Sequence, residues 1–298
     1  MFEEGQLYAP VTRDGDDVTV HLADDHPGFY DLAYRERRNA IAAAAMDWTA
    51  GEPLPVIPYT DQEHHVWQVV AAELRAKHRR LAPIEVVAAG GRLRLPDDHI
   101  PQLDEVNELL APHTGFRYQP AAGLVPLKVF YGSLADRAFW STQYIRHSSL
   151  PLYTPEPDVV HEVIGHATTL ASPRLAALYE AAGGAARRCE SPEALEFVSK
   201  VFWFSLEFGV YRDQGQPKAY GAGLLSSYGE IEEFPAADLR PLDIAAMGTQ
   251  TYDITHYQPI LFCGESLEHV EDVVGHFFLE VDDEYYERAH GKSAAVSG

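Results

Sequence analysis

Residues 153–166 read Tyr-Thr-Pro-Glu-Pro-Asp-Val-Val-His-Glu-Val-Ile-Gly-His and combine a helix start with two histidines. Proline suits the first helical turn, where its missing N–H would have no partner, and acidic residues suit the positive end of the helix dipole. We therefore expect a helix to begin at Thr154-Pro155 and to carry His161, Glu162 and His166. Three side chains that can bind metals or protons, on one helix, indicate a site for chemistry.

Further helix starts lie on both sides of this stretch. Ser172-Pro173 and Ser191-Pro192 each pair a capping serine with a first-turn proline, and Thr60 with Glu63 has the spacing of a capping box. Periodic apolar residues predict helices over 32–48, 60–80, 103–110 and 267–278. Short strands are predicted at 18–22 and 252–262, and a long structured loop at 115–134. The predicted fold class is mainly α with short β segments.

One mainly helical domain is favoured, because the sequence contains neither an internal repeat nor a low-complexity linker. We expect the catalytic domain to span residues 31–281. A loosely packed arm over residues 1–30 is expected before it, and a flexible tail over residues 282–298 after it.

Composition excludes several classes of function. The chain has 23 Lys plus Arg and 45 Asp plus Glu, a formal net charge of −22, so we expect neither nucleic acid nor an anionic membrane as a partner. Two cysteines, Cys189 and Cys263, cannot form a disulfide framework and indicate a reducing compartment. No apolar run approaches the roughly 18 residues of a membrane span, and no leader signature is present. We expect a cytoplasmic protein.

The two histidines of the opening stretch are five residues apart. Zinc protease motifs place their histidines four apart, because about 3.6 residues per turn then brings both rings onto one helical face. A spacing of five turns the second ring about 140° away from the first on an ideal helix. His161 and His166 can therefore share a metal only if the helix ends or kinks near Gly165. The spacing is weak by itself, since His21 and His26 form another such pair.

A carboxylate in an apolar helix strengthens the case for a metal. Residues 201–210 are apolar on nearly every face except at Glu207, and a buried charged carboxylate costs several kcal/mol unless a cation or donors meet it. One possibility is a salt bridge to an arginine. The other is that His161, His166 and Glu207 share one ion, the arrangement of non-haem Fe(II) oxygenases, which leaves open positions.

Three more segments contain residues that could bind a ligand. Arg146 precedes the first histidine, and a guanidinium is a two-pronged receptor for a carboxylate. Residues 220–227 contain Gly-x-Gly-x-x-Ser, but no clear strand precedes them, so a nucleotide loop is discounted and Ser226 is expected to bind a small ligand. Phe130 and Tyr131, on the predicted loop, are core aromatics or a stacking face for a flat cofactor.

At these residues the sequence resembles the tetrahydropterin-dependent aromatic amino acid hydroxylases, most closely the bacterial single-domain phenylalanine hydroxylases. The resemblance covers roughly residues 59–266. It is carried by long motifs, at 143–147, 153–158, 161–166, 203–209 and 219–227. The resemblance implies a single hydroxylase-like catalytic domain, a monomer, and a free aromatic L-amino acid as the small-molecule substrate.

The resemblance also implies residue roles. The iron ligands would be His161, His166 and Glu207, with Fe(II), a tetrahydropterin such as tetrahydrobiopterin, and dioxygen as co-substrate. Substrate-binding residues would be Arg146, Thr154, Trp203, Phe208 and Ser226. The pterin would stack on Phe130, run along the backbone at Gly123, Val125 and Leu127, and approach Glu162 and Phe202. Glu162 and Glu207 are the acids expected to serve catalysis.

The expected reaction is hydroxylation of phenylalanine to tyrosine, as in phenylalanine 4-monooxygenases. Three departures from the family pattern leave tryptophan hydroxylation and phenylalanine meta-hydroxylation open. Ser141 stands where Cys is usual, Phe202 where Tyr is common, and residues 259–263 read Pro-Ile-Leu-Phe-Cys where the family has Pro-Leu-Tyr-Tyr-Val. We expect these departures to cluster around the substrate pocket.

Hypotheses from other classes remain. A zinc hydrolase would use Glu162 as general base, although the five-residue spacing opposes it. A 2-oxoglutarate oxygenase would need a β-rich sequence around a motif such as His269-x-Glu271. A binding module without catalysis would leave Glu207 as a buried ion pair.

Overall fold

The computed structural model describes residues 9–123, 125–254 and 256–294. The α-helices are α1 Leu32–Asp47, α2 Asp61–Leu81, α3 Ile84–Leu93, α4 Leu103–Thr114, α5 Leu127–Leu134, α6 Thr168–Leu170, α7 Pro173–Arg188, α8 Pro192–Phe202, α9 Ala222–Ser226, α10 Glu230–Glu233, α11 Ile244–Thr249, α12 Leu267–Val270, α13 His276–Glu280 and α14 Asp283–Ala294. The strands are β1 Val11–Asp14, β2 Asp17–Val20, β3 Arg117–Pro120, β4 Ala138–Ser141, β5 Val210–Asp213, β6 Gln216–Ala219, β7 Asp238–Pro241 and β8 Ile260–Gly264. The prediction of a mainly α fold with short β segments is confirmed.

Among the described residues, three segments are π-helical, with hydrogen bonds that span five residues instead of four. They are the first π-segment Val160–Ala167, the second π-segment Trp203–Glu207 and the third π-segment Glu271–Gly275. The first leads into α6, the second continues α8, and the third joins α12 to α13. π-Helical turns are rare and occur frequently at functional sites.

The predicted caps are confirmed. Thr60 accepts from the Glu63 backbone N–H, while the Glu63 carboxylate accepts from the Thr60 N–H, which completes the capping box of α2. Ser172 and Ser191 cap α7 and α8, each followed by a proline in the first turn. The sequence signals at these helix starts are local, so tertiary packing does not change them.

Other predicted elements are corrected. The stretch 115–134 is not a loop, because it contains β3 and α5. No helix begins at Thr154-Pro155; Thr154 instead makes a turn in which its hydroxyl donates to the Glu156 carbonyl, and helix starts at Val160. Only residues 260–264 of the expected 252–262 strand region form a strand. The helix predicted over 267–278 is present as α12, the third π-segment and α13.

Besides the N-terminal hairpin of β1 and β2, the described residues form two sheets. β3 and β4 pair in parallel, and the larger sheet has the order β6-β5-β8-β7, with Val210 of β5 opposite Cys263 of β8. The main core is formed around α2, α7, α8 and the first π-segment, whose inward side chains include the fully buried Trp67 and Tyr179. β5 therefore holds the end of the second π-segment against this core.

The N-terminal hairpin, residues 11–20, pairs Val11 with Val20. Its side chains Val18 and Val20, with Leu22, are buried against α1. This packing is tighter than the loose arm expected for residues 1–30, of which residues 1–8 lie outside the described residues. α14 occupies most of the expected tail, and residues 295–298 also lie outside the description. The division into domains stays a prediction.

Within the described ranges, none of the helices is both long and apolar enough to cross a bilayer.

Candidate active site

The first π-segment brings both histidines to one side. His161 Nε2 and His166 Nε2 lie 3.0 Å apart, because a five-residue hydrogen-bond period places residues i and i+5 one above the other. The expected end or kink near Gly165 is therefore wrong. The helix widens there instead of breaking.

Gly165 serves close packing. A Cβ atom on it would lie 2.6 Å from the carbonyl oxygen of Ala222 in α9, closer than any real contact allows. Gly221 has the same role against the second π-segment, since its Cβ would lie 2.3 Å from the Glu207 carbonyl oxygen. Two glycines thus allow the segment 219–227 to join the two π-segments backbone to backbone.

Glu207 completes the cluster. Its Oε1 lies 3.1 Å from His166 Nε2 and its Oε2 lies 3.7 Å from His161 Nε2. The residue is only 9% exposed. Burial would raise the pKa of Glu207, but the two imidazoles outweigh it and hold the pKa below its usual value. The alternative of a salt bridge to arginine is wrong, because imidazoles occupy that position.

The three donors fit one metal ion. Ligand atoms about 2.1 Å from an ion and at right angles to each other are about 3 Å apart, and the spacings here are 3.0, 3.1 and 3.7 Å. Glu162 also lies close enough to the two rings to be a donor. Its Oε1 accepts from the hydroxyl and N–H of Thr142 at 3.0 and 3.3 Å, so one of its two carboxylate oxygens is already engaged.

The ionisation states suit such a site. Burial, and then the neighbouring His166, lowers the pKa of His161 to about 4, so its ring is neutral and can ligate. Burial raises the pKa of Glu162 to about 7, although the Thr142 hydrogen bonds favour its charged form. The neutral His161 ring, which can bind a metal, therefore lies next to the Glu162 carboxyl group, whose pKa is close to neutral pH.

Arg146 reaches the site already paired. Its Nε and Nη2 each donate to Asp158 at 2.8 Å, and both side chains are buried. The Asp158 carboxylate also accepts from the backbone N–H of Arg146 and of His161. Asp158 thus occupies the pair of N–H donors that was expected to bind a substrate carboxylate. It fixes the guanidinium and leaves Nη1 as the nitrogen that can donate to a ligand.

The segment 219–227 is preceded by a strand, contrary to expectation, because β6 ends at Ala219. It remains unlike a nucleotide loop, since α9 has only five residues. Ser226 was expected to bind a ligand. Its Oγ instead lies 2.9 Å from His161 Nδ1 and donates to the Ala222 carbonyl. The serine holds the histidine ring in place.

A cavity of roughly 970 Å³ opens over the cluster, near the upper end for small-molecule sites. Trp203 forms one aromatic wall, stacked on Tyr252 at 4.3 Å between ring centroids and tilted against Phe208 at 4.6 Å. Thr154 and Ser226 also line the cavity. Tyr252 was missed because the sequence analysis placed it at the start of a predicted strand and gave it no role at the site, whereas it lies outside any helix or strand.

The residues expected at the cofactor end line the same cavity. They are Gly123, Val125, Leu127, Phe130, Glu162 and Phe202. Leu124, between them, lies outside the described residues. Phe130 is carried by α5 and not by a loop, and its ring packs edge-on against Phe139. A rigid helix therefore presents the predicted stacking face.

Of the three departures from the family pattern, Phe202 alone is among the described residues that line the cavity. Ser141 is fully buried and donates to the Thr142 carbonyl. In the run 259–263, Phe262 packs into the core against Phe204. The expectation that all three cluster around the pocket is corrected to Phe202 alone.

Sequence reasoning also missed a wall of the cavity. Ala9, Leu22 and His26, from the N-terminal region, line it. The Ala9 N–H and Arg38 Nη1 donate to opposite oxygens of the buried Glu156, at 2.8 and 2.6 Å. The signal available was Glu156 itself, an acid in the Thr-Pro-Glu-Pro-Asp stretch, but its partners are more than 100 residues away.

Comparison with known proteins agrees with this geometry. Residues 12–295 match the family model of the biopterin-dependent aromatic amino acid hydroxylases. The chain is 49% identical over 259 residues to phenylalanine 3-hydroxylase of Streptomyces coeruleorubidus, covering 87% of this chain and 93% of that one. It is 39% identical over 269 residues to bovine phenylalanine-4-hydroxylase, covering 87% of this chain and 58% of the relative, little more than half its length.

Among solved structures, the chain resembles phenylalanine hydroxylase of Chromobacterium violaceum with bound iron(III) and 7,8-dihydrobiopterin. The TM-score is 0.70 at 26% identity, over 76% of this chain and 84% of that one. The single-domain catalytic fold expected from the sequence is confirmed.

Proposed function

The chain belongs to the biopterin-dependent aromatic amino acid hydroxylase family, and from this premise we propose that it hydroxylates the ring of free L-phenylalanine with iron, a tetrahydropterin and dioxygen. One observation carries the proposal: two imidazoles and one carboxylate converge at the floor of an aromatic-walled cavity. Relatives that act on phenylalanine support the choice of substrate.

For the ring position we favour carbon 3, with meta-tyrosine as product. The support is the 49% identity to a phenylalanine 3-hydroxylase over nearly the whole of both chains, against 39% to a 4-hydroxylase. Carbon 4, which the sequence analysis expected, is the second candidate. The two products differ only in which ring carbon is hydroxylated. An oxidising site selects that carbon mainly by how it places the substrate ring.

We propose His161, His166 and Glu207 as the iron ligands. Two neutral imidazoles and one carboxylate on one face leave other positions open, and the bound iron would supply the chemistry of dioxygen activation. The chain itself keeps the donors dry and in place, since all three are largely buried. Exclusion of water protects the reaction from side reactions.

The substrate is proposed to lie between Arg146 and the aromatic wall. Arg146, held by Asp158, would attract the amino acid carboxylate with its remaining N–H groups, next to Thr154 and Ser226 on the cavity wall. Trp203 and Phe208, whose rings contact each other, would form the aromatic wall against which the phenyl ring packs. A guanidinium fixed by two hydrogen bonds loses little freedom when it binds, which favours precise orientation.

The pterin is proposed to occupy the other end of the cavity, against Phe130 and Phe202 and along the backbone at Gly123, Val125 and Leu127. Glu162 would face it with the carboxylate oxygen that Thr142 leaves open, and could accept or donate a proton there because its pKa is about 7. A monomeric state and a cytoplasmic location stay predictions of this proposal.

The test is a product assay. Iron-loaded protein is incubated with a tetrahydropterin and phenylalanine, tyrosine or tryptophan, and the products are identified by mass and ring-proton NMR. We expect meta-tyrosine from phenylalanine, formed only with pterin present. Formation of para-tyrosine would overturn the ring position alone, whereas absence of any hydroxylated amino acid would overturn the proposed function.

A parallel peptide-hydrolysis assay with Zn²⁺ tests the hydrolase hypothesis. Glu162 would have to act as general base there, whereas the family model that the chain matches is one of hydroxylases. We expect no hydrolysis.

A further inference from the structure

The second ring nitrogen of His166 meets a tyrosine from α7. His166 Nδ1 lies 3.0 Å from the hydroxyl oxygen of Tyr179, and the two rings are nearly perpendicular at 83°. Tyr179 is completely buried and His166 is 1% exposed. On its other side the histidine presents Nε2 to His161 and Glu207. The contact is therefore a candidate device for orienting this ring.

The direction of the hydrogen bond follows from counting hydrogens. The Thr169 hydroxyl donates its single hydrogen to the His166 carbonyl oxygen at 2.8 Å, so its oxygen can only accept from other groups. The Tyr179 hydroxyl lies 3.1 Å from Thr169 Oγ1 and 3.4 Å from the Leu206 carbonyl oxygen. Both neighbours accept, so the Tyr179 hydrogen points to one of them and its oxygen faces His166 as an acceptor.

We infer that Tyr179 is a positioning residue for His166: its hydroxyl oxygen accepts from Nδ1–H and leaves Nε2 as the bare nitrogen that faces the ion. The inference rests on the proposed function only for the identity of the metal. Donation of the second ring N–H to a protein acceptor is the usual way in which a ligating histidine is oriented and made more basic. Thr169, through its hydrogen bond to the His166 carbonyl, orients the tyrosine in turn.

His161 is held by the same logic with different residues. Ser226 donates its single hydrogen to the Ala222 carbonyl oxygen at 2.8 Å, so its oxygen accepts from His161 Nδ1 at 2.9 Å. Both rings are therefore held at Nδ1 by hydroxyl oxygens from outside the first π-segment. The site is arranged for two Nε2 ligands before an ion binds.

The test is the substitution Tyr179→Phe, which removes the hydroxyl and keeps the ring. Co²⁺ affinity is measured by titrating visible absorbance, without any turnover. We expect affinity to fall about 10–100-fold, the usual cost of losing such a partner. In ¹⁵N-histidine-labelled, Zn²⁺-loaded protein, the His166 Nδ1–H signal should be slowly exchanging in the wild type and should exchange rapidly in Tyr179→Phe.

Two controls separate positioning from packing. Tyr220 is a fully buried tyrosine whose hydroxyl finds no hydrogen-bond partner among the described residues, so Tyr220→Phe should leave Co²⁺ affinity and the His166 signal unchanged. Thr169→Ser keeps the hydroxyl that orients Tyr179, whereas Thr169→Val keeps the branched side-chain shape and loses the hydroxyl. The valine variant should bind Co²⁺ more weakly than the serine variant, by less than about 10-fold, because Leu206 remains as an acceptor.

The outcomes are distinct. Wild-type affinity and slow exchange in Tyr179→Phe would overturn the inference and leave the proposed function intact. If Tyr179→Phe fails to fold, by circular dichroism, the Thr169 pair decides, and equal affinities of the two variants would overturn the inference. A wild-type protein that binds metal but forms no hydroxylated amino acid contradicts the proposed function while the role of Tyr179 stands.

Discussion

The first π-segment and the residues on either side of the N-terminal hairpin line the same cavity but are held by different forces. The π-segment packs backbone to backbone against α9, at a distance that Gly165 alone permits. The N-terminal region adds charge to its apolar packing on α1: Glu156 accepts from Arg38 and from the Ala9 N–H, and the Arg38 guanidinium lies 3.4 Å from the centre of the Tyr144 ring. Steric packing fixes the positions of the proposed metal donors, whereas a pH-sensitive ion pair helps to fix the N-terminal side of the cavity.

This difference has a physical basis. Close packing of backbones is insensitive to pH and salt, which suits donor atoms that must stay within a few tenths of an ångström of their places. A buried ion pair depends on both partners staying charged. The N-terminal wall should therefore be sensitive to the loss of a charged partner, whereas the donor cluster should be sensitive to added volume at its glycines.

The largest effect is expected from Glu207→Ala, which removes an anionic donor from the packed side. Iron content and hydroxylation should fall by more than the about 100-fold that loss of an outer partner can cost. Iron is measured by atomic absorption on purified protein. Glu196→Ala, on the exposed part of α8 beside Lys200, serves as control and should keep both. Full activity in Glu207→Ala would refute the ligand assignment.

Glu156→Gln tests the charged side. It leaves Arg38 buried without its carboxylate and should lower the free energy of unfolding by about 3–5 kcal/mol. Asp47→Asn, which breaks the exposed Arg13 pair, should cost less than about 1 kcal/mol. Urea unfolding of both variants gives the comparison, and equal losses would contradict the contrast drawn here.

The same carboxylate predicts an acid dependence. Burial opposes its charged form, but hydrogen bonds from His26 and Arg38 bring the pKa of Glu156 to about 2, below its usual 4.5. The stabilisation is present above pH 4.5 and is lost as the pH falls toward 2. The difference in free energy of unfolding between the wild type and Glu156→Gln, measured by urea unfolding, should therefore narrow as the pH falls from 4.5 toward 2.

Gly165→Ala tests the packed side sterically. The added methyl group meets the Ala222 carbonyl oxygen, so we expect a loss of about 1–3 kcal/mol in unfolding free energy and weaker metal binding. Gly91→Ala is the matched control, because a Cβ at this helical position of α3 meets nothing within 4 Å. It should stabilise the protein by about 0.5–1 kcal/mol. Thermal melts that rank the two alike would refute the packing argument.

The smallest effect concerns Glu230, at the cavity edge. Burial raises its pKa to about 7, against a hydrogen bond from the Gln258 N–H that favours the charge. Because the folded pKa lies above the unfolded 4.5, its contribution is full below pH 4.5 and is lost as pH rises to 7, by at most about 1.4 kcal/mol per pH unit. Glu230→Gln should make the free energy of unfolding less dependent on pH between 5 and 7. If urea unfolding at several pH values shows the same pH dependence as in the wild type, this role of Glu230 is excluded.

Local signals predicted local structure well. The caps at Thr60, Ser172 and Ser191 are present because each needs only the residues three positions away. The donor set of His161, His166 and Glu207 was also identifiable, since an acid in an apolar helix requires a partner. The π-helical turn could not be predicted, because the periodicity of the sequence allows a kink as readily as a widened turn.

The sequence by itself determined which residues are available for the proposed chemistry, because residue type, burial cost and motif are properties of the chain. Only the tertiary structure decided their arrangement. It paired Arg146 with Asp158, assigned Ser226 to His161 and Tyr179 to His166, and brought the N-terminal region to the cavity. Contacts such as Arg38 with Glu156 join residues 118 positions apart, and no local pattern specifies which distant partner a polar group will meet.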